Sequence, residues 1–384
     1  MSSLPQSMAR PARILLVLLW AGLLALPFTG FVNAIKLVVV FGACVIFWKL
    51  VRTDRAAIIG KAAAEKFGRL RVLASSLLLH AKSPRTIALM LFLFIIIPIF
   101  LNDYYQDILT LIGMYTVLAL GLNIVVGQAG LLNLGYAAFY AIGAYTYAIF
   151  STTHGLAFWP GLAVGAFSSA ICAALLGAPI LRLRGDYFAI VTLGLGEITR
   201  IVLNNWDGMT GGPNGISKIN RPAIAGYMFH TTLDFYFLIL FLVVVTVFGM
   251  RRLISSRIGR AWIAIREDEI AAEAMGINTY RLRLLAFVLG SAVAGMVGVF
   301  FAAKMAFVSP ESFTFSESVM ILCMVVLGGM GSIPGIILGA FLLIGLPEVF
   351  RDFQDYRMLA FGTAMVLMMI FRPQGILGTE KRAD

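Results

Sequence analysis

The chain has 384 residues, of which 60% are hydrophobic and only 13% charged, and its mean hydropathy is +0.92. So apolar a composition excludes a soluble globular enzyme. The apolar residues form unbroken runs, such as 87–101 and 233–250, rather than an alternating pattern, which excludes a closed β-barrel. We therefore predict an all-α, polytopic helical membrane protein with about 10 to 12 spans.

Apolar segments follow one another along the whole chain and are the candidate spans. They lie at 14–32, 34–48, 87–101, 108–126, 131–150, 158–181, 187–203, 235–250, 284–307, 317–346 and 358–371. Residues 1–85 are predicted to form an N-terminal extension with two spans and a basic amphipathic helix at 49–73. That helix is predicted to lie on anionic headgroups, and docking of a partner is the alternative. Residues 86–378 are the predicted transmembrane domain, and 379–384 are a tail.

The formal charge of +11 is distributed unevenly. If the N-terminus lies inside and the spans alternate, 23 of the 30 Lys and Arg fall on cytoplasmic segments. The basic charge therefore marks the cytoplasmic face and does not indicate nucleic-acid binding. Eleven single crossings would leave the basic C-terminal tail outside, so we expect 317–346 to be two short spans or one broken helix, interrupted at the Gly-rich residues 328–335.

Two Gly-rich interruptions, at 125–139 and 326–341, resemble each other. Both place Gly at a spacing of three, as Gly127 with Gly130 and Gly328 with Gly331. Paired interruptions of this kind indicate an internal repeat around a transport path. Ordinary packing of helices through small residues would give the same pattern.

Polar residues near these segments are candidates for a translocation path. Glu197 and Arg200 share one helix face, and each isolated charge at the bilayer centre costs about 2.5 to 3.5 kcal/mol, so the pair must avoid lipid. Around the first interruption lie three amides and a tyrosine that could bind a zwitterionic solute or hold helices together: Asn123, Gln128, Asn133 and Tyr136. Glu197 and Arg200 could equally be an intrahelical pair near the outer end of their span, from which Arg200 reaches the interface, so a role in the path stays open for all six residues.

No catalytic or metal-binding motif is present in the sequence. The three histidines, His80, His154 and His230, are scattered, and the three cysteines lie in apolar runs and imply no disulfide framework. There is no phosphate-binding G-x-x-x-x-G-K motif either. We expect no cofactor and no metal on this chain, and any ATP that drives it must bind to another subunit.

The basic stretch 256–287 contains the most specific local pattern. Ala264 to Met275 is predicted to form one short amphipathic helix that ends at Gly276. Such a helix on the cytoplasmic face could transmit force from a soluble motor, or it could be a simple surface helix.

Four of these blocks, together with the C-terminal 372–378, closely resemble the permease subunits of bacterial branched-chain amino acid ABC importers of the Liv type. The blocks are 121–145, 183–216, 256–278 and 325–341, and the resemblance covers about 107–378. It implies a bacterial inner-membrane location with cytoplasmic termini. It also implies a second permease, two cytoplasmic ATPase subunits that hold ATP and Mg, and a periplasmic solute-binding protein.

The resemblance also makes 256–278 the segment that couples the permease to an ATPase. The family pattern of Glu-Ala-Ala, three residues and Gly maps onto Ile270, Ala271, Ala272 and Gly276. Ile270 stands where the pattern has Glu, with Glu269 and Glu273 on either side, so the carboxylate that meets the ATPase is left open. We expect a gated conduit for Leu, Ile and Val. The alternatives are a permease for urea, short amides or other amino acids, or an ion-coupled secondary transporter with Glu197 and Arg200 as its ion site.

Overall fold

The computed structural model describes residues 94–183, 185–224, 227–349 and 362, which belong to one compact unit beginning at Phe94. The spans predicted at 14–32 and 34–48, the basic helix at 49–73, the tail at 379–384 and all but one residue of the span at 358–371 lie outside the described residues.

The described residues are mainly helical. The helices are α1 Asp103–Asn123, α2 Tyr136–His154, α3 Phe158–Ile180, α4 Asp186–Asn205, α5 Asp207–Thr210, α6 Thr232–Ile254, α7 Arg257–Glu267, α8 Glu269–Ala274, α9 Thr279–Met305, α10 Phe315–Gly328, α11 Ile333–Ala340 and α12 Leu346–Val349. Tighter 3-10 turns lie at Ile97–Phe100, Gly212–Asn214 and Pro310–Phe313, and wider π-helical turns lie at Ile124–Gln128 and Phe341–Gly345.

Two small antiparallel strand pairs interrupt the otherwise helical order. Strand β1 (Ile216–Ser217) pairs with β4 (Phe307–Val308), and β2 (Ala223–Ile224) pairs with β3 (Tyr227–Met228). Each strand has two residues, so they fasten loops to one another and add no layer to the fold.

Five described helices are long and apolar enough to cross a membrane. They are Asp103–Gln128, Phe158–Ile180, Thr232–Ile254, Thr279–Met305 and Pro310–Gly328. The prediction of a polytopic helical membrane protein is thereby confirmed. The total of about 10 to 12 spans stays a prediction, because several of the predicted spans lie outside the described residues.

The helices alternate in direction between two ends of the unit. At one end, Arg266 contacts Gly127, and Tyr280 donates a hydrogen bond to the Ala178 carbonyl at 2.9 Å. We call this the basic end, because its loops and helix termini carry Arg182, Arg251, Arg252, Arg257, Arg260 and Arg266. The opposite end holds the β1–β4 pair, and there Tyr147 donates to the Asn220 carbonyl at 2.8 Å.

Helix α9 forms the centre of the packing and contacts α1, α2 and α3. Small residues let these backbones approach very closely. A Cβ on Gly143 of α2 would lie 2.2 Å from the Gly295 carbonyl oxygen, and one on Gly295 would lie 2.4 Å from that of Gly165 in α3. We call this contact of α2, α3 and α9 through Gly143, Gly165 and Gly295 the three-helix crossing.

The segment 317–346 is two antiparallel helices and not one kinked helix. Helix α10 ends at Gly328, a turn covers 329–332, and α11 returns alongside α10. Ideal Cβ positions on Gly328 and Gly339 would lie 2.4 Å from the Gly335 oxygen and 2.5 Å from the Met324 oxygen, respectively. From 333 to 349 the chain climbs about 25 Å at the usual helical rise. The charge distribution left open two short spans or one broken helix, and the hairpin corresponds to the first of these.

Candidate functional site

The first Gly-rich interruption ends α1 at the basic end. After Asn123 the helix widens into the π-helical turn Ile124–Gln128, and Gly130 follows at φ +73°. Left-handed backbone of this kind strains residues that carry a Cβ, which explains Gly at position 130.

The second interruption, between α10 and α11, shares two features with the first. Its second Gly, Gly331, also has a left-handed backbone, at φ +89°. The first Gly of each pair is a point of close approach, since Cβ positions on Gly127 and Gly328 would lie 2.7 Å from the Gly331 nitrogen and 2.4 Å from the Gly335 oxygen. The two interruptions therefore share a closely approached first Gly and a left-handed second Gly, while the backbones between them differ, with φ −88° at Ala129 and +105° at Gly329.

The two interruptions meet each other. The Gly331 amide donates to the Asn123 side-chain oxygen at 2.8 Å, and the Gln128 amide donates to the Gly331 carbonyl at 3.4 Å. Both side chains are almost fully buried, and the Asn123 Nδ2 has no partner within the described residues. We call this contact, formed by Asn123, Gly127, Gln128 and Gly331, the joint.

Arg266 connects the joint to the stretch that resembles an ATPase-coupling segment. Its guanidinium donates to the Gly127 carbonyl. Its stem passes over Gly130, where a Cβ would lie 3.0 Å from the Arg266 Cγ. Sequence reasoning missed Arg266, because nothing in its local pattern shows that it reaches residues more than a hundred positions away.

The stretch 256–278 forms two helices, whereas the sequence predicts one from Ala264 to Met275. The helix breaks at Asp268, which has an extended backbone and whose carboxylate accepts from the amides of Ile270 and Ala271 at 2.9 and 3.0 Å. Asp is a favoured N-cap residue, and this cap starts the new helix α8. The predicted stop is present, since Gly276 follows α8 with φ +82°.

The carboxylates of α8 have partners inside this chain. Glu269 lies 2.6 Å from the Arg283 guanidinium, and Glu273 accepts from the Thr279 hydroxyl at 2.7 Å. Both contacts fasten α8 to the start of α9. Within α8, Ala272 is the buried residue. Ile270 and Met275 are instead exposed at 78% and 83%, so α8 presents apolar side chains to the solvent.

Glu197 and Arg200 form the ion pair that their spacing predicts. The Arg200 guanidinium lies 2.9 Å from Glu197 Oε2 on α4, and the side chains are 35% and 33% exposed. The pair thus lies on a partly open face of α4 in the described chain.

Asn133 and Tyr136 are fully buried between these regions. Asn133 accepts from the Gly135 amide at 3.0 Å, and Tyr136 donates to the Gly290 carbonyl of α9 at 3.0 Å. The six residues predicted for the path therefore fall into a buried group near the basic end and a separate pair on α4. Their role in a path stays a prediction.

Two further polar contacts join pairs of membrane-spanning helices. The sequence analysis did not predict either of them. Tyr115 of α1 donates to Glu317 of α10 at 2.7 Å, and Lys304 of α9 lies 2.7 Å from Asp107 of α1. Glu317 and Glu197 are both charged residues within predicted apolar segments. The sequence therefore gave the same reason to single out Glu317 as it gave for Glu197. No cluster of three or more His, Cys, Asp or Glu suited to a metal occurs among the described residues.

Comparison with known proteins identifies the family. The family described as "Branched-chain amino acid transport system / permease component" matches residues 104–371. The chain is 48% identical over 303 residues to the high-affinity branched-chain amino acid transport system permease protein LivM of Escherichia coli (strain K12), which covers 73% of this chain and 71% of the relative. No solved structure matches the chain.

Two more distant relatives carry related names. The permease protein BraD of Pseudomonas aeruginosa is 31% identical over 293 residues, covering 70% of this chain and 93% of BraD. The permease protein LivH of E. coli K12 is 27% identical over 298 residues, covering 73% of this chain and 96% of LivH. With its apolar helices and these relatives, the chain belongs to the branched-chain amino acid transport permease family and is a multi-pass membrane transport subunit, not an enzyme.

Proposed function

We propose that this chain is one of two permease subunits of an ATP-driven importer that carries Leu, Ile and Val into a bacterial cell. The observation that carries the proposal is the 48% identity to a protein named as a high-affinity branched-chain amino acid permease. A second permease is supported by the names LivM and LivH, which belong to two permeases of one transport system in E. coli.

The basic end faces the cytoplasm in this proposal, and both termini lie on the same side. The excess of Arg at that end follows the rule that cytoplasmic segments of membrane proteins are positively charged. The solute then enters at the opposite end, delivered by a periplasmic binding protein, and the membrane is the bacterial inner membrane.

The ATPase subunits dock on α8 through apolar contacts in this proposal. Glu269 and Glu273 already bind Arg283 and Thr279, so they brace α8 against α9. Ile270, which occupies the place of the family's Glu, is exposed with Met275 and provides an apolar contact for a groove on the ATPase. ATP and Mg bind only to those partner subunits.

The path for the solute begins on the partly open face of α4. Glu197 and Arg200 together carry no net charge and offer one group to the solute's ammonium and one to its carboxylate. Asn123, Gln128, Asn133 and Tyr136 lie at the cytoplasmic end of this path, where their hydrogen bonds hold the helices together in the closed state.

Reconstitution of the whole importer tests the proposal. The chain is co-expressed with its second permease, the ATPases and the binding protein, placed in liposomes, and assayed for leucine uptake and ATP hydrolysis. We expect leucine-loaded binding protein to stimulate hydrolysis, and Ile270→Lys to reduce that stimulation about ten-fold because it places a charge in an apolar contact. Ile270→Leu, the matched control, keeps the stimulation.

Other outcomes would contradict the proposal. Uptake driven by an ion gradient without ATP would identify a secondary transporter. Stimulation by urea or a short amide, with none by leucine, would correct the substrate. Full stimulation in Ile270→Lys would show that α8 does not dock through this residue.

A further inference from the structure

Arg266 is the side chain that links the coupling stretch to the joint. It lies in the last turn of α7, two residues before the Asp268 cap that starts α8. Any displacement of α8 therefore acts on the Arg266 backbone through a single extended residue.

Helix α7 is itself firmly attached to the membrane domain. Trp262 is fully buried and donates to the Leu282 carbonyl of α9 at 2.7 Å, and Ile265 is also buried. Trp262 lies one turn before Arg266, and Ile265 directly precedes it. Tilting of α7 about Trp262 would therefore move the guanidinium while the middle of the helix stays in place.

The joint depends on few contacts. Two side chains from the end of α1, Asn123 and Gln128, hold Gly331, and the Arg266 guanidinium holds Gly127 from the other side. An ideal Cβ on Gly331 would lie 3.7 Å from an Arg266 terminal nitrogen, so the guanidinium is next to both interruptions. A hydrogen bond from a charged donor is stronger than one between neutral groups.

We propose that Arg266 is a positioning residue that holds the two Gly-rich interruptions together in the resting state, and that movement of α8 withdraws it and lets the joint open. This proposal rests on the proposed function, since it assigns the joint to the cytoplasmic closure of the same path. Arg266 acts here through contacts with the backbone of its own chain, at Gly127 and next to Gly331, and the proposal involves no bound ligand.

The first test measures the joint without any partner subunit. Leu132 and Met330 are exposed residues beside the two interruptions. Both are replaced by Cys and spin-labelled in the full chain in nanodiscs, in a background where Cys44, Cys172 and Cys323 are replaced by Ser. With Arg266 in place, we expect one narrow distribution of distances between the two labels. In Arg266→Gln, we expect an additional population at longer distance.

A matched control separates this effect from the loss of charge at the basic end. Arg260 lies on the same helix, but its guanidinium donates to the Ser255 carbonyl at 2.9 Å and not to the joint. Arg260→Gln should leave the distance distribution unchanged. Arg266→Lys keeps the charge without the planar fork and should give an intermediate distribution, which also provides a result if Arg266→Gln fails to fold.

The second test uses the assembled importer. We expect Arg266→Gln to lower the number of solute molecules moved per ATP about five-fold or more, a typical size for coupling between sites, while Arg260→Gln keeps the ratio. Unchanged distances in both Arg266 variants would overturn the proposal, as would changed distances with an unchanged ratio. If the parent importer shows no solute stimulation, the proposed function fails, and the distances alone decide whether Arg266 holds the joint.

Discussion

The three-helix crossing and the joint are both rich in glycine, yet they are held together in different ways. At the crossing, Gly143, Gly165 and Gly295 bring three backbones into direct contact, with Ser169 donating to the Phe139 carbonyl at 2.9 Å. At the joint, Gly127 also approaches the Gly331 nitrogen closely, but side chains of Asn123, Gln128 and Arg266 supply the hydrogen bonds that hold the backbone groups.

The two kinds of contact give the crossing and the joint different freedom to move. Packed backbones have no alternative arrangement nearby, because interiors are close-packed and repacking them is costly. Side-chain hydrogen bonds to backbone can be exchanged for water, at a net free energy of about 1 kcal/mol each. We therefore infer that the crossing is the fixed part of the permease and the joint is the part that moves.

The largest expected effect comes from adding a methyl group at the crossing. In Gly143→Ala the new Cβ would lie 2.2 Å from the Gly295 oxygen, so the helices must separate. We expect a loss of about 3 kcal/mol in stability, the upper end of overpacking costs. Thermal unfolding in detergent measures this loss.

Gly249→Ala is the matched control, because its Cβ on α6 would meet no atom within 4 Å. An equal loss of stability in both variants would break the comparison, since it would show that the crossing is no tighter than an open helix face.

A smaller effect is expected at the joint, and it should affect coupling more than folding. Gly331→Ala has room for its Cβ, with the nearest atom at 3.5 Å, but φ is +89°. A left-handed residue with a Cβ costs about 1 to 2 kcal/mol, which should lower thermal stability modestly and reduce solute-stimulated ATP hydrolysis.

Gly155→Ala controls for the backbone strain alone. Gly155 follows the C-terminus of α2, at the end away from the basic end. Its φ is +64°, and a Cβ there would meet no atom within 4 Å. The comparison predicts that both variants lose similar stability and that only Gly331→Ala loses stimulation of hydrolysis. Equal losses of stimulation would show that strain, and not the joint, causes the effect.

The smallest change in stability is expected from the α4 ion pair. Glu197 and Arg200 are about one-third exposed in the described chain, and pairs of that kind contribute about 0 to 1 kcal/mol. The double variant Glu197→Gln/Arg200→Gln, which leaves no unpaired charge on α4, should therefore leave unfolding nearly unchanged but lower leucine uptake, as measured in liposomes. Unaltered uptake in this variant would remove the pair from the proposed path.

Much of the fold could be predicted from the sequence, because hydropathy and loop charge report on the membrane directly. The interruption of 317–346 followed from the position of the basic tail, although the sequence left open whether the segment is two short spans or one broken helix. Gly at a spacing of three showed the likeness of the two interruptions but did not separate an internal repeat from ordinary helix packing. The break at Asp268 was missed, although Asp is a strong helix N-cap and the signal was present in the sequence.

The candidate site was less predictable, since its contacts join distant residues. Asn123 and Gln128 could be named as polar groups near an interruption, but the sequence offered no means to pair them with Gly331. Arg266 resembled any other arginine of a basic loop, and Glu317 was hidden at the start of an apolar run. In each case the partner is supplied by tertiary packing, which local patterns do not contain.

The most direct test of the central claim compares the two regions in one importer. Spin-label distances are measured across the joint, between Leu132→Cys and Met330→Cys, and between α3 and α9, at Phe167→Cys and Met305→Cys, with and without ATP in the assembled complex. We expect ATP to change the distance across the joint and to leave the distance between α3 and α9 unchanged. A change between α3 and α9 with a constant joint distance would contradict this expectation.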